Sequence, residues 1–328
     1  MTTLYLPLTS SENNNDKALL SYQVPYDSAS VDASPSFSYY TDPNADVSTA
    51  LGKGWWVNVP DYEGPLASFG CGVQAGHATL DSVRAVLSSK LGLAKDARYA
   101  MWGYSGGSIA SEWAAELQPT YAPELNFAGA SIGGVVSNGQ HSIDAVNGKL
   151  FAALIPSAFM GLASQHERFY QHLLATLKKT GAQNASTILS FTKLNVATGG
   201  ALFAFQNIND YFIHGADDIQ IPLVQDLLFK EVQMGFHGVP TMPIFAYKAI
   251  GDEITPIADT DFVVDKYCGV GGVNILYQRN TVGDHGTEAT NRRPGVFQWL
   301  SSVLEGEYSH TGCTIQNVTV TSDSVQPI

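Results

Sequence analysis

The chain has 328 residues, enough for one large domain or two ordinary ones. Hydrophobic residues make up 45% and charged residues only 14%, a balance that excludes a globally disordered chain. The formal net charge of −13 excludes the basic stripe that a nucleic-acid partner or an anionic membrane surface requires.

Taken in chain order, the opening MTTLYLPLTSSENNNDK lacks the charged and apolar blocks of a secretory leader, and no later apolar run is long enough to span a bilayer. Asp27 to Asn44, rich in Ser, Asp and Pro, reads as an exposed loop. Gly54 to Pro60 is an aromatic and β-branched run stopped by proline, which predicts a strand. Leu80, Val83, Leu87 and Leu91 share one face of a predicted helix over 74–91. A buried strand over Ala97 to Trp102, a helix over Ser108 to Leu117 and a strand over Phe127 to Ser131 follow. Pro243 to Ala249 and Val273 to Gln278 are short apolar runs, and Val296 to Leu304 reads as a closing helix. Strands alternating with helices predict an α/β fold with a mostly parallel sheet.

Residues 141–240 break that rhythm. They read as largely helical, with Leu162, Phe169, Leu173 and Leu177 along one face, and are too long for a simple crossover. The expected organisation is a core of 1–140 and 241–328 with a helical cap, 141–240, inserted over the sheet's carboxyl edge. A separate helical domain is the alternative.

Gly103-Tyr104-Ser105-Gly106-Gly107 fits G-x-S-x-G between the predicted strand and helix. In such a nucleophile elbow the serine occupies a strained corner, so its neighbours two residues away, Gly103 and Gly107, must be small. Gly106 can offer its backbone N–H to a developing oxyanion. A βα turn in which Ser105 merely caps a helix is the plainer reading. If Ser105 is a nucleophile, an acid and then a histidine should follow it in the chain. Asp252 leaves the run 243–249, and His285 leaves the run 273–278 before the last helix. Both then fall on loops at the edge that carries Ser105. Glu253 is a substitute acid, Asp284 reads as a turn residue, and His310 as a solvated tail histidine. His77, His166, His172, His214 and His237 read as packed or surface side chains. No metal-binding spacing and no nucleotide loop is present, so neither cofactor nor metal is expected. Cys71, Cys268 and Cys313 allow one disulfide with one thiol left over, and Asn184 and Asn317 open glycosylation sequons that matter only in a secreted chain.

With these residues in place the chain resembles the secreted fungal lipases of the Candida antarctica lipase A type. The resemblance rests on the elbow, on Leu19 to Val24, Pro60 to Pro65, Tyr121 to Asn126 and Asp252 to Pro256, and spans nearly the whole chain. It implies an α/β-hydrolase core under a helical cap, cofactor-free ester hydrolysis, and secretion. The chain begins beyond the equivalent of the relatives' leader, so truncation and an intracellular location stand as alternatives. By position, Asp61 becomes the second oxyanion-hole member beside Gly106; the plainer reading has it capping a turn. Cys268 and Cys313 become the bridge.

The expectation is a serine hydrolase of carboxylic esters, a triacylglycerol lipase or carboxylesterase, with Ser105, His285 and Asp252 as its triad. A small-molecule or lipid ester is the partner, with lipid-interface contact through the cap. Phe151, Phe159, Met160, Leu162, Phe203 and Phe205 either line an acyl groove or form ordinary cap core. The rivals are a deacetylase of a small secondary metabolite, a peptidase on the same fold, and a catalytically silent binding protein. Oligomeric state leaves no mark in the sequence.

Overall fold

The computed structural model describes residues 1–8, 16–40 and 44–324. Eight strands form one sheet: β1 (Thr2–Tyr5), β2 (Ala18–Gln23), β3 (Trp56–Pro60), β4 (Arg98–Tyr104), β5 (Gly129–Gly133), β6 (Ile244–Ala249), β7 (Ile275–Asn280) and β8 (Cys313–Val318). Their order is β1-β3-β2-β4-β5-β6-β7-β8. β1 runs antiparallel to β3, and every other neighbouring pair is parallel.

The inner strands are buried on both faces, which is why they read as apolar runs rather than alternations. The two-residue period still sorts them. Met101, Ile132, Ala246 and Ile275 join one core with the helices Gly72–Ser88, Gly106–Tyr121 and Ile257–Val270. Trp102, Phe245, Tyr247 and Leu276 join a second core beneath the helices Ala45–Gly52 and Arg293–Glu305.

Several expectations need correction. The helix predicted over 74–91 ends at Ser88, so Leu91 lies in the loop beyond it, and Leu87 is exposed while Val86 takes the buried position. The loop from Asp27 is not an exposed excursion: Ser28, Ala29, Ser30 and Ser34 are buried, and a helical turn covers Pro35–Ser38. Part of it, 41–43, lies outside the described residues. His310 is no solvated tail residue, because its ring nitrogens meet Asn274 Oδ1 and Thr314 Oγ1, each at 2.9 Å, beside β8.

Between β5 and β6 the chain is helical, with Gly139–Val146, Leu154–Gln165, Glu167–Thr176, Val196–Phe203 and Pro222–Glu231 as its longer pieces. Leu162, Phe169, Leu173 and Leu177 are all buried, but the first three lie in two helices that break at His166, the C-cap of one and the N-cap of the next, and Leu177 is the extended residue that ends the second. They pack with Phe159, Phe191, Phe203 and Tyr211 into a third core that reaches the sheet half at Ala29, Cys71 and Ile254.

Candidate active site

Ser105 sits where β4 turns into the helix Gly106–Tyr121, with φ 54° and ψ −125°. A non-glycine residue at positive φ stores strain, and the surroundings must hold it there. Here the Ser105 N–H donates to Gly133 O at 3.0 Å, and the helix closes on it through Ser108 N–H to Ser105 O at 2.8 Å. The glycines are required by close approach: a Cβ on Gly103 would strike the Gly107 carbonyl, and one on Gly107 would strike that of Gln23. Tyr104 donates from its hydroxyl to His285 O at 2.5 Å, fastening the elbow strand to the histidine loop.

His285 opens the helix His285–Asn291, whose N-cap Asp284 forms a capping box with Thr287. Its Nε2 lies 2.7 Å from Ser105 Oγ, and its Nδ1 lies 2.8 Å from Asp252 Oδ2. Asp252 follows β6 and is fully committed. Its Oδ1 accepts from Ile254 N–H at 3.0 Å and Thr255 N–H at 2.9 Å, and its Oδ2 also accepts from Lys248 Nζ at 3.0 Å. Burial raises this carboxyl's pKa, but the His285 hydrogen bond and the Lys248 ammonium outweigh it and hold Asp252 well below the usual range, hence ionised. Glu253 does not compete for the imidazole; its Oε2 accepts the His285 backbone N–H at 2.9 Å.

The structure does not bring Asp61 to this centre. Its two oxygens accept from Ser36, from the backbone N–H at 2.9 Å and from the hydroxyl at 2.6 Å, so it caps the turn at Pro35–Ser38. The carboxyl that faces Gly106 is Asp27, so close that a Cβ on Gly106 would collide with Asp27 Oδ1. Asp27 holds φ 46°, and its Oδ1 is buried without a hydrogen-bond partner. Burial pushes its pKa up to about 6, against the opposing pull of His285. Asp27 follows β2, and only the pairing of β2 with the elbow strand β4 in the structure shows that its loop reaches this site.

Asp27, Ser105 and Gly106 open into an apolar cavity of about 80 Å³ lined by Phe69, Ile109, Leu154, Phe159 and Leu162 among others. On its other side Asp27 borders an apolar groove of about 240 Å³ with Leu150, Phe151, Phe191, Val196 and Ala197. Of the aromatic and apolar cap residues singled out above, Phe151, Phe159 and Leu162 thus face these spaces, Met160 and Phe203 are core, and Phe205 is exposed.

Cys268 and Cys313 are bonded, tying the helix Ile257–Val270 to β8, while Cys71 is free and buried. Cys71, His166 and Glu231 place three donor atoms within 4.8 Å of one another. Their separations in the chain gave no metal-binding spacing to read.

Comparison with known proteins follows the same lines. The family profile described as secretory lipase matches residues 42–312. The trichothecene C-3 esterase of Fusarium sporotrichioides is 44% identical over 97% of this chain and 75% of its own length. Lipase 1 of Candida albicans is 37% identical over 92% of this chain and 68% of its own length. The crystal structure of Candida antarctica lipase A superposes with a TM-score of 0.87 at 26% identity, covering 99% of this chain and 78% of that one. The parallel sheet with flanking helices is accordingly an α/β-hydrolase fold.

Proposed function

The chain belongs to the secretory lipase family and is a carboxylic ester hydrolase, and from that premise we propose that Ser105, His285 and Asp252 perform the hydrolysis through an acyl-enzyme. The observation that carries this reading is the unbroken hydrogen-bonded chain from Asp252 Oδ2 through the His285 ring to Ser105 Oγ. Ser105 Oγ attacks the ester carbonyl while His285 Nε2 takes its proton, and the imidazolium returns that proton to the departing alkoxide. Asp252 fixes the tautomer with the proton on Nδ1 and offsets the imidazolium charge. Water then repeats the cycle on the acyl-enzyme, with His285 again as base.

The tetrahedral oxyanion needs donors where its charge develops. The Gly106 N–H is in the first turn of its helix and has no intrahelical acceptor to satisfy. Asp27 is the second donor in this proposal, in the place assigned earlier to Asp61. Its pKa, pushed up to about 6 by burial, leaves a proton below that pH on a carboxyl that faces the same space.

An apolar cavity of 150 Å³ holds one benzene, so the space of about 80 Å³ beside Ser105 fits a short acyl group. The larger groove across Asp27 fits an apolar alcohol portion. That favours short-chain esters of bulky alcohols; one relative is named a trichothecene C-3 esterase. A lipase working at an interface is the second reading, supported by Leu150, Leu202 and Phe205, exposed apolar side chains of the 141–240 cap. Secretion is part of the proposal, supported by the family description and by the disulfide. Among the described residues no helix is long and apolar enough to cross a membrane.

A panel of p-nitrophenyl esters from acetate to palmitate tests the acyl preference. The proposal expects kcat/KM to be highest for the short chains and to decline in graded steps, each worth no more than about 1–3 kcal/mol per methylene. A maximum at palmitate contradicts it.

A further inference from the structure

Lys248 is a strand residue whose chemistry the triad leaves unexplained. It stands in β6, in the run IFAYKA, and is wholly buried. Its three ammonium protons have three acceptors: Val135 O at 3.1 Å, Thr255 Oγ1, and Asp252 Oδ2 at 3.0 Å. The last of these is the oxygen that receives His285 Nδ1. Stability alone is a poor reason for such a residue, because a buried ion pair is commonly matched or bettered by apolar side chains of similar size.

We propose that Lys248 is a positioning residue for ester hydrolysis, one whose ammonium shares Asp252 Oδ2 with His285 Nδ1 and so weakens the pull of that carboxylate on a proton at the ring. The inference rests on the reading of Ser105, His285 and Asp252 as the triad. A bare aspartate favours the imidazolium both in the transition state and in the resting enzyme, and a resting imidazolium cannot accept the serine proton. An ammonium on the same carboxylate oxygen opposes that resting protonation by placing a like charge near the ring.

The remaining charges around the pair do not replace it. Glu253 holds the His285 backbone, and Asp284 caps its helix. Asp27 faces the ring from the far side, and Glu288 acts on Asp252 from the helix His285–Asn291. From the helix Ile257–Val270, Asp259 and Asp261 act on Lys248, and Tyr277 of β7 and Tyr104 of β4 contribute neutral phenols. Two arginines also stand nearby, but each faces another acid, Arg279 with Asp261 at 3.2 Å and Arg292 beside Glu288, so among the described residues Lys248 is the lysine or arginine that contacts Asp252 itself.

The test compares kcat/KM against pH for the wild type, Lys248→Met, Lys248→Gln and Thr255→Val with a soluble short-chain ester. Both lysine variants should move the acid half-point up by about one pH unit, with the alkaline side and the plateau kcat changed less than threefold. Thr255→Val removes the hydrogen bonds of its hydroxyl to Lys248 and to Asp252 Oδ2 but no charge, and its half-point should move far less than that of the lysine variants. A lysine variant that folds and lowers the plateau without moving the half-point makes Lys248 a purely structural residue and overturns the inference. If neither lysine variant folds, the wild-type profile decides: an acid half-point below the alkaline fall set by Asp27 supports the inference, and one at or above that fall overturns it. Ser105→Ala separates the two levels. Turnover surviving in that variant removes the triad itself, whereas a dead Ser105→Ala beside an unmoved Lys248→Met profile removes only the role of Lys248.

Discussion

At the scale of single residues, the oxyanion site is decided by two aspartates with opposite surroundings. Asp61 has its oxygens occupied by Ser36, while Asp27 Oδ1 faces Gly106 unpaired. A carboxyl can donate to an oxyanion only while it carries a proton. With burial pushing the Asp27 pKa up to about 6, the donor is present below that pH and lost as pH rises through it. kcat/KM reports groups of the free enzyme, so it should fall on the alkaline side of about pH 6. Asp27→Asn carries amide protons at every pH and should lose that fall, whereas Asp27→Ala should lose about 10²–10³ in kcat, the usual cost of one oxyanion donor. An alkaline fall that persists unchanged in Asp27→Asn contradicts the donor role. The position of Asp27 was poorly legible because its loop is rich in Ser, Asp and Pro, the composition of solvated turns. Only the packing of Ser28, Ala29 and Ser30 against the rest of the molecule shows it to be interior.

At the scale of elements, legibility followed burial. The central strands β4 and β6 are covered on both faces and stand out as apolar runs. The edge strands β1 and β8 do not, since TTLY is half-buried and CTIQNV is mostly exposed, so neither carries an apolar signal. Helix breaks were equally hidden: Leu162 and Phe169 belong to one continuous apolar pattern, yet the chain turns at His166 between them. β8 is held at the sheet's edge by pairing with β7 and by the bond between Cys268 and Cys313, which closes a loop spanning 45 residues. The double variant Cys268→Ser/Cys313→Ser should lose about 3–4 kcal/mol of unfolding free energy, read as a lower midpoint in urea. Its kcat at 25 °C should match the wild type, because Cys313 pairs with Ile275 at the start of β7, whereas His285 follows the other end of that strand. An unchanged midpoint contradicts the staple.

At the scale of the whole molecule, three side chains 33 and 180 residues apart meet in one hydrogen-bonded line. Their meeting was legible because topology constrains it: in a parallel sheet every strand delivers its following loop to the same edge. The order of Ser105, Asp252 and His285 along the chain then limited the choice to a few residues. The long excursion between β5 and β6 was legible from its length. What lay beyond the sequence was the set of neighbours that tune the line, Asp27 and Lys248 above all. A lysine inside an apolar strand run was visible, but its acceptor was not. The central claim, that Ser105 is the nucleophile of this line, is tested most directly by fluorophosphonate labelling with peptide mapping, alongside hydrolysis of a short-chain ester by Ser105→Ala. The account predicts one adduct per chain on the peptide containing Ser105, and a variant that takes no label, loses at least about 10³ in turnover and keeps the wild-type thermal midpoint. Turnover retained by a folded Ser105→Ala, or an adduct on another residue, contradicts it.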